Sequence, residues 1–146
     1  MLEYFAKAFS VWFTGFFPFF EIYVAIPYGF VLGLDPYSIV FWAVLGNFLP
    51  VPLIEFGYSK LEQWAYFRRW QTKLISPKLE RQVAKNGIWF IPVFTPWIGV
   101  WAVAVTCKIM KVKARILLLT TFIGIAVYAI GLTILIETGI SIFTTD

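Results

Sequence analysis

The chain has 146 residues, of which 60% are hydrophobic and 14% charged, with a net charge of +4. A soluble domain carries about 25% charged residues, so a mean hydropathy of +0.80 excludes a water-soluble fold and places the chain in a membrane. The lack of histidine removes imidazole acid–base chemistry and the commonest metal ligand, and the single Cys107 leaves no intrachain disulfide.

Four apolar blocks follow in order, at about 8–34, 37–59, 87–107 and 114–136. Each is long enough to cross a bilayer as a helix. The N-terminal run does not read as a signal peptide: Glu3 precedes Lys7, the run continues past Gly33, and no small-residue cleavage site ends it. Residues 1–35 are therefore expected within the fold.

The first block contains the stretch Glu21-Ile22-Tyr23-Val24-Ala25-Ile26-Pro27. A carboxylate among apolar residues needs water, a proton or a cation. Pro18 and Pro27 disfavour one uninterrupted helix. Pro27 is expected to turn a hairpin with Glu21 beside the break, in protein or a wet cavity; an interfacial, solvated Glu21 is the other reading. In the second block, Gly46, Asn47, Pro50, Pro52 and Glu55 fall within one span. The prolines release backbone carbonyls near Gly46 and Phe48, and Asn47 offers both donors and an acceptor. Glu55 is either a second intramembrane acid or lies near the end of the span before Lys60.

Residues 60–85 carry Lys60, Arg68, Arg69, Lys73, Lys78, Arg81 and Lys85 against Glu62 and Glu80. Trp64, Phe67 and Trp70 beside this charge resemble an interfacial amphipathic helix, with a solvated loop as the alternative. Ser76-Pro77 begins a second short helix that ends near Gly87. The segment is too short and too closely tethered to membrane blocks for nucleic-acid binding. In the third block, Pro96 and Gly99 are expected to shape a second hairpin, Thr95 to satisfy freed backbone groups, and Trp97 and Trp101 to form steric walls. The loop 108–115 is again basic, whereas Leu34-Asp35-Pro36 and the C-terminus, with Glu137 and Asp146, are acidic.

Basic loops mark the cytoplasmic face. Four simple spans would put 60–85 and 108–115 on opposite faces. A re-entrant block 87–107 puts both in the cytoplasm, and a re-entrant block 8–34 then dips from the other face. Pro18 and Pro96, and Gly46 and Gly124, lie at one common offset. The expected fold is thus an all-α integral membrane protein. It has two re-entrant helical hairpins plus transmembrane helices in an inverted repeat, with halves 8–59 and 87–136 joined by a basic amphipathic cytoplasmic segment, 60–86. No phosphate loop, nucleophile elbow or metal-binding pair is present, so no enzyme, cofactor or metal is expected.

From Glu21 to Ile54 the chain resembles the first half of the small multi-drug export protein family. Members commonly read Glu-Leu-Arg-Gly-Ala-Ile-Pro, then Gly-Asn and Pro-Val-Pro. Glu21, Ala25, Ile26, Pro27, Gly46, Asn47, Pro50, Val51 and Pro52 match, and Pro96, Gly99 and Trp101 fit the second-half pattern Pro-Gly-Thr-Gly-Ala-Trp. Tyr23 stands where an arginine is common, and Val24 and Trp97 replace glycines. The layout is also similar, in architecture, to DedA-like membrane proteins, which are associated with lipid-carrier translocation.

The resemblance implies a transporter or flippase for an amphiphilic or lipid-like small molecule, in a bacterial plasma (inner) membrane. Glu21, Pro27, Asn47, Glu55, Thr95, Pro96 and Gly99 are the candidate substrate- or proton-binding residues, with Glu21 or Glu55 coupling transport to protons. Expected partners are membrane lipid, the amphiphile and further copies of the chain. A four-span multidrug exporter and a non-transporting assembly subunit are the alternatives.

Overall fold

A computed structural model describes residues 1–144, with side chains through Gly139; Asp146 of the acidic C-terminus lies outside the described residues. Every described element is helical. Two helical runs, Pro36–Leu61 and Ala114–Gly139, are long and apolar enough to cross a membrane. At 1.5 Å per residue, 26 residues reach about 39 Å, beyond the ~30 Å hydrocarbon core. The chain divides into two compact units, and it passes between them within these two runs.

The first unit comprises residues 1–47 and 125 onward. Helices α1 (Leu2–Phe16) and α2 (Glu21–Val31) pack against each other. The link between them is made by Pro18. A residue before proline is pushed out of the helical region, and Phe17 is extended, with φ −71° and ψ 131°. Block 8–34 is therefore broken, but at 17–20, not at the expected Pro27. Pro27 lies inside α2. The buried face of that helix, Ile22, Ala25, Ile26 and Gly29, holds it helical despite the lost hydrogen bond.

After α2, Gly33 turns the chain with φ 71°. The Asp35 carboxylate then accepts from the Ser38 amide at 2.8 Å and starts α3 (Pro36–Phe48). Glycines set the approach of α1 to α3. A Cβ on Gly15 would come within 2.8 Å of the Ala43 carbonyl oxygen, and one on Gly46 would run into the Trp12 carbonyl.

The second unit is residues 48–124. It holds α4 (Pro50–Leu61), α5 (Ala65–Leu74), α6 (Pro77–Asn86), a 3-10 turn (Ile88–Phe90), α7 (Ile91–Ile98), α8 (Val100–Ile109) and the start of α9 (Ala114–Thr144). Its centre is α8, on which α4, α5, α6 and α7 pack. Each residue from Val100 to Cys107 is buried. Ser76 caps α6 by accepting from the Leu79 amide, and Gly87, at φ 79°, ends it.

The aromatic residues of segment 60–86 divide between the interior and the surface. Phe67 is buried, and Trp70 packs edge-on against Trp101 with centroids 5.2 Å apart. Trp64 and Tyr66 remain exposed beside Arg68, Arg69 and Lys73.

Candidate functional site

Glu21 opens α2 and is buried, 7% exposed. Its φ of 48° is left-handed, a region that L residues other than glycine enter at a cost of roughly 1–3 kcal/mol. Its amide still bonds the Phe17 carbonyl at 3.2 Å, across the break that Pro18 makes. A carboxylate, a helix break and backbone strain thus coincide at one residue. Pro27 faces the other way. It lies with Tyr23, Val24 and Tyr28 on the exposed side of α2. Tyr23 packs edge-on against Tyr128 of α9, with centroids 5.8 Å apart.

Asn47 ends the first unit's stretch of α3. It is buried, and its Oδ1 has no partner among the described residues. An unmatched buried acceptor costs about 1–3 kcal/mol, so the polar group is held there by packing: the same turn meets Gly15 through its backbone.

In the second unit, Glu55 is not an isolated acid. Lys108, at the end of α8, places its ammonium 2.8 Å from Glu55 Oε1 and also donates to the Glu55 main-chain carbonyl at 2.9 Å. Lys108 belonged to a basic loop in the sequence, and no charged pair was legible there. The residues are 53 positions apart, so only folding brings them together. Glu55 Oε2 is buried without a partner among the described residues.

Thr95 is buried in α7, and its hydroxyl returns to the Ile91 carbonyl at 2.7 Å. Pro96 is buried inside the same helix, and Gly99, at φ 95°, separates α7 from α8. Of the two expected walls, Trp101 is buried and Trp97 is exposed. Among the seven candidates, Glu21, Pro27 and Asn47 belong to the first unit, and Glu55, Thr95, Pro96 and Gly99 to the second.

Outside the spans, Asp35 is held below the usual carboxylate range, first by the Ser38 side chain and then by the Ser38 amide.

A family model described as "Putative small multi-drug export protein" matches residues 21–130. No match was found among curated proteins or solved structures.

Proposed function

The chain belongs to the small multi-drug export family, and from that premise we propose that it moves an amphiphilic, lipid-like small molecule across the membrane, coupled to a proton at Glu21. The observation that carries this reading is the placement of Glu21: a buried carboxylate at a strained residue beside a helix break. Such a group binds and releases a proton at low structural cost only where the chain around it is already irregular. Glu55 is the weaker coupling candidate, because Lys108 already neutralises it.

Helix lengths support two re-entrant hairpins in an inverted repeat. Helices of 15, 11, 8 and 10 residues (α1, α2, α7 and α8) reach about 12–23 Å, each short of the ~30 Å hydrocarbon core. In this arrangement both basic loops, 60–85 and 108–115, lie in the cytoplasm, and the Asp35 turn lies outside. The membrane is a bacterial plasma membrane. Chains this small enclose a pathway as a homo-oligomer, and the activity is transport, not catalysis.

Proteoliposome flux with and without a pH gradient tests the proposal. Glu21→Gln is expected to abolish the pH-driven component while the protein still folds. Unchanged flux and unchanged pH response would remove Glu21 from coupling. No flux in the parent protein, with lost association in the variant, would favour an assembly subunit.

A further inference from the structure

One side of α5 is fixed by contacts within the second unit. Phe67 is buried and meets Tyr58 of α4 edge-on, with centroids 6.1 Å apart. Trp70 packs against Trp101 of α8. The Tyr58 hydroxyl donates to Gln71 Oε1 at 2.9 Å. Residues 67, 70 and 71 lie three and four apart, so they share one helix face, and their contacts set the rotation of α5. The side turned away carries Ala65, Arg68, Arg69, Thr72 and Lys73, all exposed.

That side holds three cations and no carboxylate. Among the described residues, the ion pairs engage Lys7 and Lys108, not these three. Arg69 and Lys73 stand four apart, a spacing at which like charges weaken a helix. The positive face therefore does nothing for the helix itself. Packing of the opposite side holds it in place against its own repulsion, and an anion docked on it would relieve that repulsion.

Depth identifies the anion. Leu61 ends the apolar run Pro36–Leu61, which at about 39 Å outreaches the ~30 Å hydrocarbon core. That end stands at headgroup level, and α5 begins four residues later. Trp64 is 68% exposed and Tyr66 is 82% exposed, and these two ring types settle at headgroup depth. Cations and interfacial rings on one short helix at that depth match the surface of an anionic leaflet.

We propose that the outer side of α5 docks on anionic phospholipid headgroups, with Arg68, Arg69 and Lys73 on the phosphates and Trp64 and Tyr66 seated among the headgroups. Guanidinium forks suit phosphate oxygens. This docking does not depend on what the protein transports. Helix α6 is the internal control. It also exposes three cations, Lys78, Arg81 and Lys85, but contains no aromatic residue.

The test uses the full chain with Cys107→Ala and Thr72→Cys, a bimane fluorophore on the new thiol, in nanodiscs of phosphatidylcholine with or without phosphatidylglycerol. Acrylamide, a neutral aqueous quencher, reads the free state, and a lipid with a nitroxide on its headgroup reads the docked one. Phosphatidylglycerol is expected to shield the fluorophore from acrylamide and to raise nitroxide quenching, and high salt is expected to reverse both. Arg69→Gln is expected to lower the docked-to-free ratio about fivefold, the worth of one basic side chain at an anionic surface. The triple variant Arg68→Gln/Arg69→Gln/Lys73→Gln is expected to remove the dependence on phosphatidylglycerol, and Lys78→Gln/Arg81→Gln/Lys85→Gln to leave it. All six side chains are exposed, and circular dichroism checks that helix content is kept. Equal shielding in the two lipid mixtures would overturn the docking. Equal losses in the two triple variants would overturn the assignment to α5. Shielding by an RNA oligonucleotide or a polyglutamate peptide in phosphatidylcholine discs, with phosphatidylglycerol silent, would give the face to a soluble partner and overturn the lipid assignment.

Discussion

The ammonium of Lys108 holds Glu55 at two points, its Oε1 at 2.8 Å and its main-chain carbonyl at 2.9 Å, and so fastens the end of α8 to α4. The Glu55 side chain is only 9% exposed and that of Lys108 is 30% exposed. Lys108→Met would leave the carboxylate without its cation, and a broken buried pair costs about 3–5 kcal/mol, the partial exposure of Lys108 placing this one near the lower end. The double variant Lys108→Met/Glu55→Gln is expected to recover part of that loss. Denaturant unfolding in micelles checks this through a double-mutant cycle, and a coupling energy near zero would contradict it.

The contact of Gly46 with the Trp12 carbonyl leaves no room for a methyl group. Backbone does not yield as a flexible side chain does. Gly46→Ala is expected to destabilise by about 1–3 kcal/mol, the usual cost of overpacking. Gly131 is the internal control, because a Cβ there meets nothing within 4 Å. Gly131→Ala is expected to stabilise its helix by about 0.5–1 kcal/mol. Thermal unfolding of the two variants should move in opposite directions.

Asp35 caps α3 through the Ser38 amide. Replacement by alanine is expected to cost about 1 kcal/mol, and by asparagine much less. The Asp35 carboxyl titrates below its ordinary value when folded. Its charged-state contribution is therefore fully present above the unfolded pKa of about 3.9 and lost as pH falls through the lower folded value. The stability gap between the parent and Asp35→Ala should narrow from pH 6 to pH 3. A gap that widens on acidification would refute this.

Residues 60–85 and 108–115 are expected on one, cytoplasmic, face. Single cysteines at the exposed positions Lys73 and Lys111, in a Cys107→Ala background, test this with an impermeant maleimide. Both should react only after the membrane is opened. Reaction of one from outside intact cells would remove the re-entrant block 87–107 and favour four spans.

The sequence by itself determined what local sums decide. Hydropathy over 20 or more residues places the chain in a membrane and marks blocks 37–59 and 114–136, which fold as the runs Pro36–Leu61 and Ala114–Gly139. The start of α6 at Ser76-Pro77 and its end at Gly87, like the break at Gly99, follow from residues that shape their own backbone. The burial of Glu21 was legible as one of two readings, from its apolar neighbours.

Tertiary structure alone decided which of these local tendencies prevailed. Pro18 and Pro27 disrupt helices by the same chemistry, yet only Pro18 breaks the chain, because packing against α1 holds α2 together around Pro27. Trp70 turned toward Trp101 of α8, some 30 positions away, and Phe67 packed against Tyr58 of α4. Glu55 gained Lys108 across 53 positions, and Gly46 gained Trp12 across 46 − 12 = 34. Local preference is worth up to about 1 kcal/mol per ordinary residue and about 3 for proline, while burial of large apolar side chains is worth about 1.5–3 each and α2 buries several. Where the two disagree, long-range packing wins, and it is not written in any short window of sequence.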